Sequence, residues 1–290
     1  MDIKVLRYFL ALSQQESVTA AADYLHITQP TLSRQLIELE EELGVSLFTR
    51  GSRKITLTEE GVLLRKRAQD ILELVQKTQA EFQAPADMIS GDIYIGGGES
   101  HAMGLIADAI KDLQQKHPQI CAHIFSGDAD EVTEKLDKGL IDFGVLIEPT
   151  QSTKYESLLL PAQDTWGVLM RKDSPLAIKS FIQPKDLWDL PLITSKQKHV
   201  DNNIAKWIKQ DYEKLRIVAT YNLIFNASLM VEKGMGYALC LDKLINTTGN
   251  SALCFRPLKP ALTVDINIVW KKYQVFSKPA SLFLQQLKEK

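Results

Sequence analysis

The sequence lacks a long apolar run and a strong excess of one charge. No stretch of about 18 apolar residues is present, which predicts no membrane-spanning helix and no membrane partner. The segment Met1 to Lys4 does not begin a charged region followed by a continuous apolar stretch, so we expect no signal peptide. The net charge of −2 over 290 residues excludes a protein that coats nucleic acid through overall basicity. We therefore expect a cytoplasmic protein of two or three domains.

Cysteine and histidine are also scarce, and they form no metal or catalytic motif. Cys121, Cys240 and Cys254 have no metal-ligand spacing and cannot all pair, so each is predicted to be a small buried side chain. Cys240 and Cys254 leave a redox sensor open as an alternative. The five histidines are scattered, and no nucleophile elbow, phosphate-binding loop or Ser/His/Asp arrangement is present. We expect no enzyme, no metal site and no cofactor.

Residues 29–43 have the pattern of an amphipathic helix with defined ends. Leucines recur three and four positions apart, which marks one buried face. They are Leu32, Leu36, Leu39 and Leu43. Thr28 is predicted to cap the helix, Pro30 suits its first turn and Gly44 its end. The side chains turned away from the leucines at the start of the helix are of the types that contact base edges and phosphates. They are Gln29, Pro30, Thr31, Ser33 and Arg34.

The flanking segments predict a winged helix-turn-helix of α+β class over residues 1–58. Alanines in residues 18–25 allow a helix there to cross the next one closely. Two extended runs around Gly51 predict a hairpin wing with basic residues near its tip, and these are Arg50, Arg53 and Lys54. A helical domain that contacts other proteins is the alternative, because residues 1–58 hold six basic and seven acidic side chains. The placement of the cations favours double-stranded DNA as the partner.

Residues 59–88 predict a long linker helix that dimerises. Apolar positions alternate at spacings of four and three, which is the heptad seam that two helices share. The seam consists of Leu64, Ala68, Ile71, Val75, Thr78 and Phe82. The alternative is an amphipathic helix that lies on its own domain. A seam this narrow favours a homodimer, which would bring two recognition helices to an imperfect palindrome.

Residues 89–290 alternate strands and helices, which predicts a two-lobed α/β domain. Lobe one covers about 91–161 and 265–290, and lobe two about 162–264. Ligands in open α/β folds lie beyond the carboxyl ends of the strands. The candidate pocket residues at those positions are Gly98, Glu99, Ser100, His101, Ile147, Glu148, Thr194, Ser195, Asn222 and Phe225.

The two acids in this set complicate the expectation of a simple carboxylate ligand. If Glu99 and Glu148 both point inward, they repel an anion. Either the ligand carries a positive or hydrogen-bond-donating group as well, or Lys196 or Lys198 of the opposing loop closes onto the glutamates. Ser100 and Thr194 have ordinary helix capping as an equally weighted alternative role.

The chain resembles the LysR-type transcriptional regulators. The resemblance covers nearly the whole sequence and is strongest in the N-terminal part. It rests on Leu6 to Phe9, Ser17 to Ala22, Thr28 to Ser33, Leu36 to Glu40, Leu47 to Arg50 and Leu57 to Gly61, with weaker matches at 91–96, 139–145 and 231–239.

This resemblance implies a bacterial DNA-binding regulator with a winged helix-turn-helix, a long linker helix and a two-lobed, periplasmic-binding-protein-like effector domain. It implies that Gln29, Thr31, Ser33 and Arg34 approach the groove, and that Arg50, Arg53 and Lys54 touch the DNA backbone or minor groove. A small-molecule effector of unknown identity, a dimer of dimers and RNA polymerase as a further candidate partner belong to the same expectation.

Overall fold

The computed structural model describes residues 1–51, 54–83, 89–147, 153–196, 204–209 and 214–289. The chain divides into two compact units, Met1–Gln83 and Ala84–Lys290. No helix in these ranges is both long and apolar enough to cross a membrane.

Three helices and a two-stranded hairpin form the core of the first unit. The helices are α1 (Ile3–Gln15), α2 (Val18–Tyr24) and α3 (Gln29–Leu43), and the hairpin strands are β1 (Phe48–Arg50) and β2 (Ile55–Leu57). The strands are antiparallel, and the amide of Ile55 donates to the carbonyl of Glu16, which ties the hairpin to the end of α1. The expected winged helix-turn-helix is confirmed.

The predicted ends of α3 are confirmed, and its buried stripe is shorter than expected. Thr28 is the N-cap and Pro30 lies in the first turn. Gly44 ends the helix at φ +69°, a conformation that glycine adopts without strain. Leu32, Leu36 and Leu39 are buried, whereas Leu43 is 39% exposed. The prediction for Leu43 was wrong because the last turn of α3 extends past the packed face.

The long helix α4 (Glu59–Gln83) begins where the wing ends. Thr58 Oγ1 accepts from the Gly61 amide at 3.0 Å and donates to the Ser46 carbonyl at 2.7 Å. A Cβ on Gly61 would lie 1.9 Å from the Leu47 carbonyl oxygen. The start of α4 therefore packs directly on the backbone that leads into β1.

The heptad seam of α4 divides into two parts. Ala68 is fully buried and packs with Leu6 of α1, and Leu64 and Ile71 contact the same cluster. The first half of the seam thus has a partner within its own chain, as the alternative interpretation held. The later positions differ, since Val75 is half-buried, Thr78 is exposed and Phe82 is 85% exposed.

The second unit contains one continuous path of strands with helices on both faces. Lobe one holds β3 (Gly91–Gly97), α5 (Met103–Lys116), β4 (Ile120–Ser126), α6 (Ala129–Asp137) and β5 (Phe143–Ile147). Lobe two holds β7 (Leu192–Ser195), α7 (204–208), β8 (Ile217–Tyr221), α8 (Ile224–Glu232), β9 (Tyr237–Leu241) and β10 (Leu253–Pro257). The chain closes with β11 (Thr263–Lys271) and α9 (Lys278–Lys288).

Strand β6 (Tyr155–Arg171) belongs to both lobes. Its first part pairs with β11, and its last part pairs with β9 on one side and β10 on the other. The strand order is β4-β3-β5-β11-β6-β9-β7-β8, with β10 on β6. β11 also pairs antiparallel with β5 of lobe one. The lobe boundary at about 162 falls inside one unbroken strand, which local sequence patterns do not reveal.

Candidate DNA-binding surface and ligand cleft

The start of α3 presents a polar surface to solvent. Gln29, Pro30, Thr31 and Arg34 are exposed and Ser33 is half-buried. The opposite side of the helix is anchored by Leu32 and Leu36, both almost fully buried. The predicted contact side chains therefore lie together on one rigid, capped helix end.

Neighbouring side chains on α3 hold each other in place. The Gln29 amide donates to Ser33 Oγ at 3.0 Å, and the hydroxyls of Thr28 and Thr31 lie 2.8 Å apart. Arg34 Nε pairs with Glu38 Oε1 at 2.8 Å, although the Arg34 side chain is 81% exposed. An exposed pair of this kind is worth at most about 1 kcal/mol, so the guanidinium can leave Glu38 at little cost.

The wing carries the second group of predicted contacts. Lys54 is exposed and pairs with Glu16 Oε2 at 3.0 Å. The side chain of Arg50 and the whole of Arg53 lie outside the described residues.

The second unit contains a cavity of about 440 Å³ at the carboxyl end of β3. Four predicted pocket residues line it, and these are Gly98, Glu99, Ser100 and His101. Ile124 and Ser126 of β4 contribute from lobe one, and Lys243 and Leu244 follow β9 in lobe two. The cavity is thus a cleft between the lobes.

Glu99 links the two lobes directly. Its Oε2 accepts a hydrogen bond from the amide of Ile224, the first residue of α8. The N-terminus of a helix carries partial positive charge and unpaired amides. Glu99 therefore occupies a position at which an anion is favoured, and its charge is balanced by α8. The described contacts of Glu99 do not include Lys196, and Glu148 and Lys198 lie outside the described residues.

Ser100 has a local bond and retains a donor. Its Oγ accepts from the Ala102 amide at 3.0 Å, and the residue is 9% exposed. This bond resembles a cap at the turn that precedes α5, as the capping alternative held. Because it uses only a lone pair of the oxygen, the hydroxyl hydrogen remains available to a molecule in the cleft.

Of the other predicted pocket residues, those that the structure describes do not line this cavity. Ile147 packs beside the hydrophobic core, and Thr194 and Ser195 are 3% and 4% exposed. Asn222 accepts from the amide of Leu223, and Phe225 is 62% exposed. Sequence reasoning missed Lys243, whose only local signal is its position just after a strand.

The surroundings of Cys240 and Cys254 disfavour the reactive thiolate form. Burial, followed by the nearby Asp242 charge, raises the pKa of Cys240 to about 12, and burial raises the pKa of Cys254. Their strands lie on opposite sides of β6, and such strands are about 10 Å apart. A disulfide needs Cα atoms within about 7 Å. The prediction of burial was wrong for Cys121, which is exposed because the edge strand β4 leaves it uncovered.

Comparison with known proteins covers both units. A family model described as "LysR substrate binding domain" matches residues 86–290. A second model, "Bacterial regulatory helix-turn-helix protein, lysR family", matches residues 3–62.

The similarity to known proteins extends along nearly the whole chain. The "Uncharacterized HTH-type transcriptional regulator YvbU" of Bacillus subtilis is 27% identical over 291 residues, covering 100% of this chain and 98% of the relative. The "Hca operon transcriptional activator HcaR" of Escherichia coli is 27% identical over 286 residues, covering 97% and 94%.

Two solved structures share the fold. CbnR complexed with its target DNA has a TM-score of 0.78 at 19% identity and covers 100% of this chain and 99% of that one. Full-length BenM has a TM-score of 0.57 at 26% identity and covers 100% and 96%.

Proposed function

Because this chain belongs to the LysR family of transcriptional regulators, which are not enzymes, we propose that it reads operator DNA with the start of α3. In this proposal Gln29, Pro30, Thr31, Ser33 and Arg34 face the major groove. Arg50, Arg53 and Lys54 of the wing contact phosphates or the minor groove. A small molecule in the cleft controls the activity, and the protein works in the bacterial cytoplasm without a cofactor.

One observation carries the DNA-reading proposal. The exposed side of the capped start of α3 holds amide, hydroxyl and guanidinium groups, while the acidic residues Glu40, Glu41 and Glu42 lie toward its far end. A side-chain amide forms paired hydrogen bonds with an adenine edge, and a guanidinium forms them with a guanine edge. A helix that enters the groove by its N-terminal end keeps its acids away from the phosphates.

Footprinting of the full-length protein on the DNA upstream of its own gene tests this proposal. We expect protection of two half-sites of an imperfect palindrome, with centres separated by about 34 Å or a multiple of it. Repetition with candidate metabolites should change the extent or spacing of protection. Binding that is equal on operator and on random duplex would contradict the proposal.

We also place the dimer contact in the later half of α4. Val75, Thr78 and Phe82 continue the heptad, and these positions are not fully buried within the chain. Leu64, Ala68 and Ile71 pack in the cluster around Leu6 of α1 instead. A homodimer, its assembly into a tetramer and contact with RNA polymerase form the rest of this proposal, and the last two derive from the family alone.

The cleft suits a small molecule with both an acidic and a donor group. Lys243 and the Ser100 hydroxyl can hold a carboxylate, while Glu99 retains an oxygen that the Ile224 amide does not use. An amino group of the ligand would find its acceptor there. The carboxylate of the ligand would therefore contact Lys243 and Ser100, and its amino group would contact Glu99.

A thermal-shift screen of simple acids, amino acids and amines tests the ligand chemistry. Wild type should favour molecules that carry an amino group, and Glu99→Gln should lose this preference because its side chain no longer carries charge. Asp108→Asn, an exposed change on α5, is the matched control. An unchanged preference in Glu99→Gln would exclude this role.

A further inference from the structure

Three side chains with metal-binding donor atoms meet on one face of lobe one, outside the cleft. Asp92 of β3 stands opposite Cys121 of β4 in the parallel ladder, and Tyr94 stands opposite His123. Side chains alternate along a strand, so these four project from the same face, whereas Ile93 turns into the core. A carboxylate oxygen of Asp92, the Cys121 sulfur and a ring nitrogen of His123 all lie within 4.8 Å of one another.

The distances fit a tetrahedral cation. His123 Nε2 and Asp92 Oδ1 are 3.2 Å apart. Zinc lies about 2.0 to 2.2 Å from nitrogen and oxygen ligands, which places two such ligands about 3.4 Å apart in a tetrahedron. One ion can therefore touch both atoms without backbone movement. Cys121 and His123 are exposed, so small side-chain rotations bring the sulfur to its bonding distance of about 2.3 Å.

The donor set favours zinc over magnesium and calcium. A thiolate, an imidazole and a carboxylate suit Zn²⁺, whereas Mg²⁺ and Ca²⁺ prefer oxygen ligands alone. Thiolate and carboxylate together balance the two positive charges of the ion. The thiol proton of Cys121 passes to solvent when the Zn–S bond forms.

The surrounding strands hold the ligands in place. The Tyr94 ring stacks on His123 with centroids 4.8 Å apart and planes at 15°, and its hydroxyl donates to Asp92 Oδ2 at 3.4 Å. The Tyr94 amide donates to Asp142 at 2.8 Å. Contacts of a neighbouring side chain with the ligand residues, such as those of Tyr94 with His123 and Asp92, orient metal ligands. Because β4 is the edge strand, the group is open to solvent, which provides an entry path and a water for the fourth position.

We propose that Asp92, Cys121 and His123 form a zinc site on the outer strands of lobe one. The three ligands belong to the second unit, and they are not among the described residues that line the cleft. The ion joins β3 to β4 by a link that the backbone ladder does not supply, and it protects the exposed Cys121 thiol.

Titration of reduced, metal-free, full-length protein with Co²⁺ tests this site. We expect a thiolate-to-cobalt charge-transfer band and the visible bands of tetrahedral cobalt, both removed by one equivalent of Zn²⁺ per chain. Cys121→Ser should abolish the charge-transfer band, and His123→Gln and Asp92→Asn should weaken binding at least about tenfold. Cys121 and His123 are exposed and Asp92 is half-buried, and circular dichroism with thermal unfolding reports whether the variants are folded.

Two control variants separate this site from other thiols and imidazoles. Cys254→Ala and His117→Gln should bind the metal as wild type does. Zinc should also slow alkylation of Cys121 in wild type, and it should not do so in His123→Gln. Cobalt spectra without a charge-transfer band would show that His123 and Asp92 only contact each other, and zinc binding that survives Cys121→Ser would place the metal on other ligands. Either result would overturn the proposal.

Discussion

Arg34 and Lys54 are both exposed cations paired with a glutamate, but they stand on different parts of the first unit. Arg34 is on α3 beside Glu38, and Lys54 is on the wing beside Glu16. A guanidinium forms two parallel hydrogen bonds to a guanine edge, whereas an ammonium acts on phosphates as a point charge. The two residues should therefore contribute differently to binding.

Arg34→Ala should reduce the preference for operator over random DNA by about 1 to 3 kcal/mol. Lys54→Ala should weaken binding to all sequences and lower the slope of log K against log salt by about 1. Fluorescence anisotropy over a range of salt concentrations measures both effects, and each variant serves as the other's control. If Arg34→Ala keeps full discrimination, the recognition surface is misplaced.

Gly61 is required by packing rather than by its backbone angle. A Cβ at this position would lie 1.9 Å from the Leu47 carbonyl oxygen, so either α4 or the chain before β1 would have to move. We expect Gly61→Ala to lower the free energy of unfolding by about 1 to 3 kcal/mol. Gln69→Ala, an exposed change on the same helix, should change it by no more than about 0.5 kcal/mol. Urea unfolding monitored by circular dichroism compares them, and equal stability of the two variants would refute the clash.

At the scale of elements, α4 shows how one apolar pattern can serve two contacts. Its early positions Leu64 and Ala68 pack on α1, and its later positions lack that cover. A heptad pattern records only that a face is apolar, since burial against the same chain and against a second chain favour the same residues. The later half is therefore the place to test dimerisation.

Val75→Glu should weaken the dimer at least about tenfold, because an unpaired charge would be buried in the proposed seam. Gln76→Glu introduces the same charge at an exposed neighbouring position and should leave the dimer intact. Analytical ultracentrifugation over a concentration series distinguishes the two. A Val75→Glu protein that dimerises normally would place the dimer contact elsewhere.

The strand register decides the fate of each cysteine. Strand β6 separates Cys240 from Cys254. This separation excludes a redox sensor that works by a disulfide between these two cysteines. The pairing of β3 with β4 instead brings Cys121 to Asp92 and His123. Sequence spacing did not indicate this group because one ligand lies about 30 residues before the other two, and only parallel pairing joins them.

At the scale of the whole molecule, part of the stability of the second unit depends on one carboxylate whose side chain is largely covered, Asp186. Asp186 has an 8% exposed side chain, and it pairs with Lys179 at 2.6 Å and accepts from the Gln183 amide at 3.0 Å. Burial opposes its ionisation, but the hydrogen bonds from Lys179 and Gln183 outweigh burial and lower the pKa of Asp186. A lowered pKa stabilises the fold above the unfolded-state pKa of about 3.9, and this contribution is lost as the pH falls through the folded-state pKa.

Asp186→Asn should therefore cost about 1 to 2 kcal/mol at pH 7, comparable to the loss of a helix cap. The difference from wild type should shrink as the pH is lowered below about 3.9. Urea unfolding at several pH values measures it, with the exposed Asp189→Asn as the control. A difference that stays constant with pH would mean that the charge of Asp186 is not the cause.

The sequence by itself determined the elements whose signals are local. The leucine stripe, Thr28 and Gly44 predicted α3 from end to end, and the residues turned away from the stripe marked the face that we propose reads DNA. The alternation of strands and helices predicted the two-lobed domain and the position of Gly98 to His101 at a strand end. These features depend on neighbours within one or two turns of the chain, which periodicity and capping describe.

Only the tertiary structure decided which distant residues meet. It placed Ile224 against Glu99, Lys243 in the cleft, Ala68 against Leu6, and Asp92 beside Cys121 and His123. It also carried β6 through both lobes. The physical reason is that strand register and lobe packing follow from the burial of the whole chain. A local pattern states which side of an element is apolar, but not what covers it.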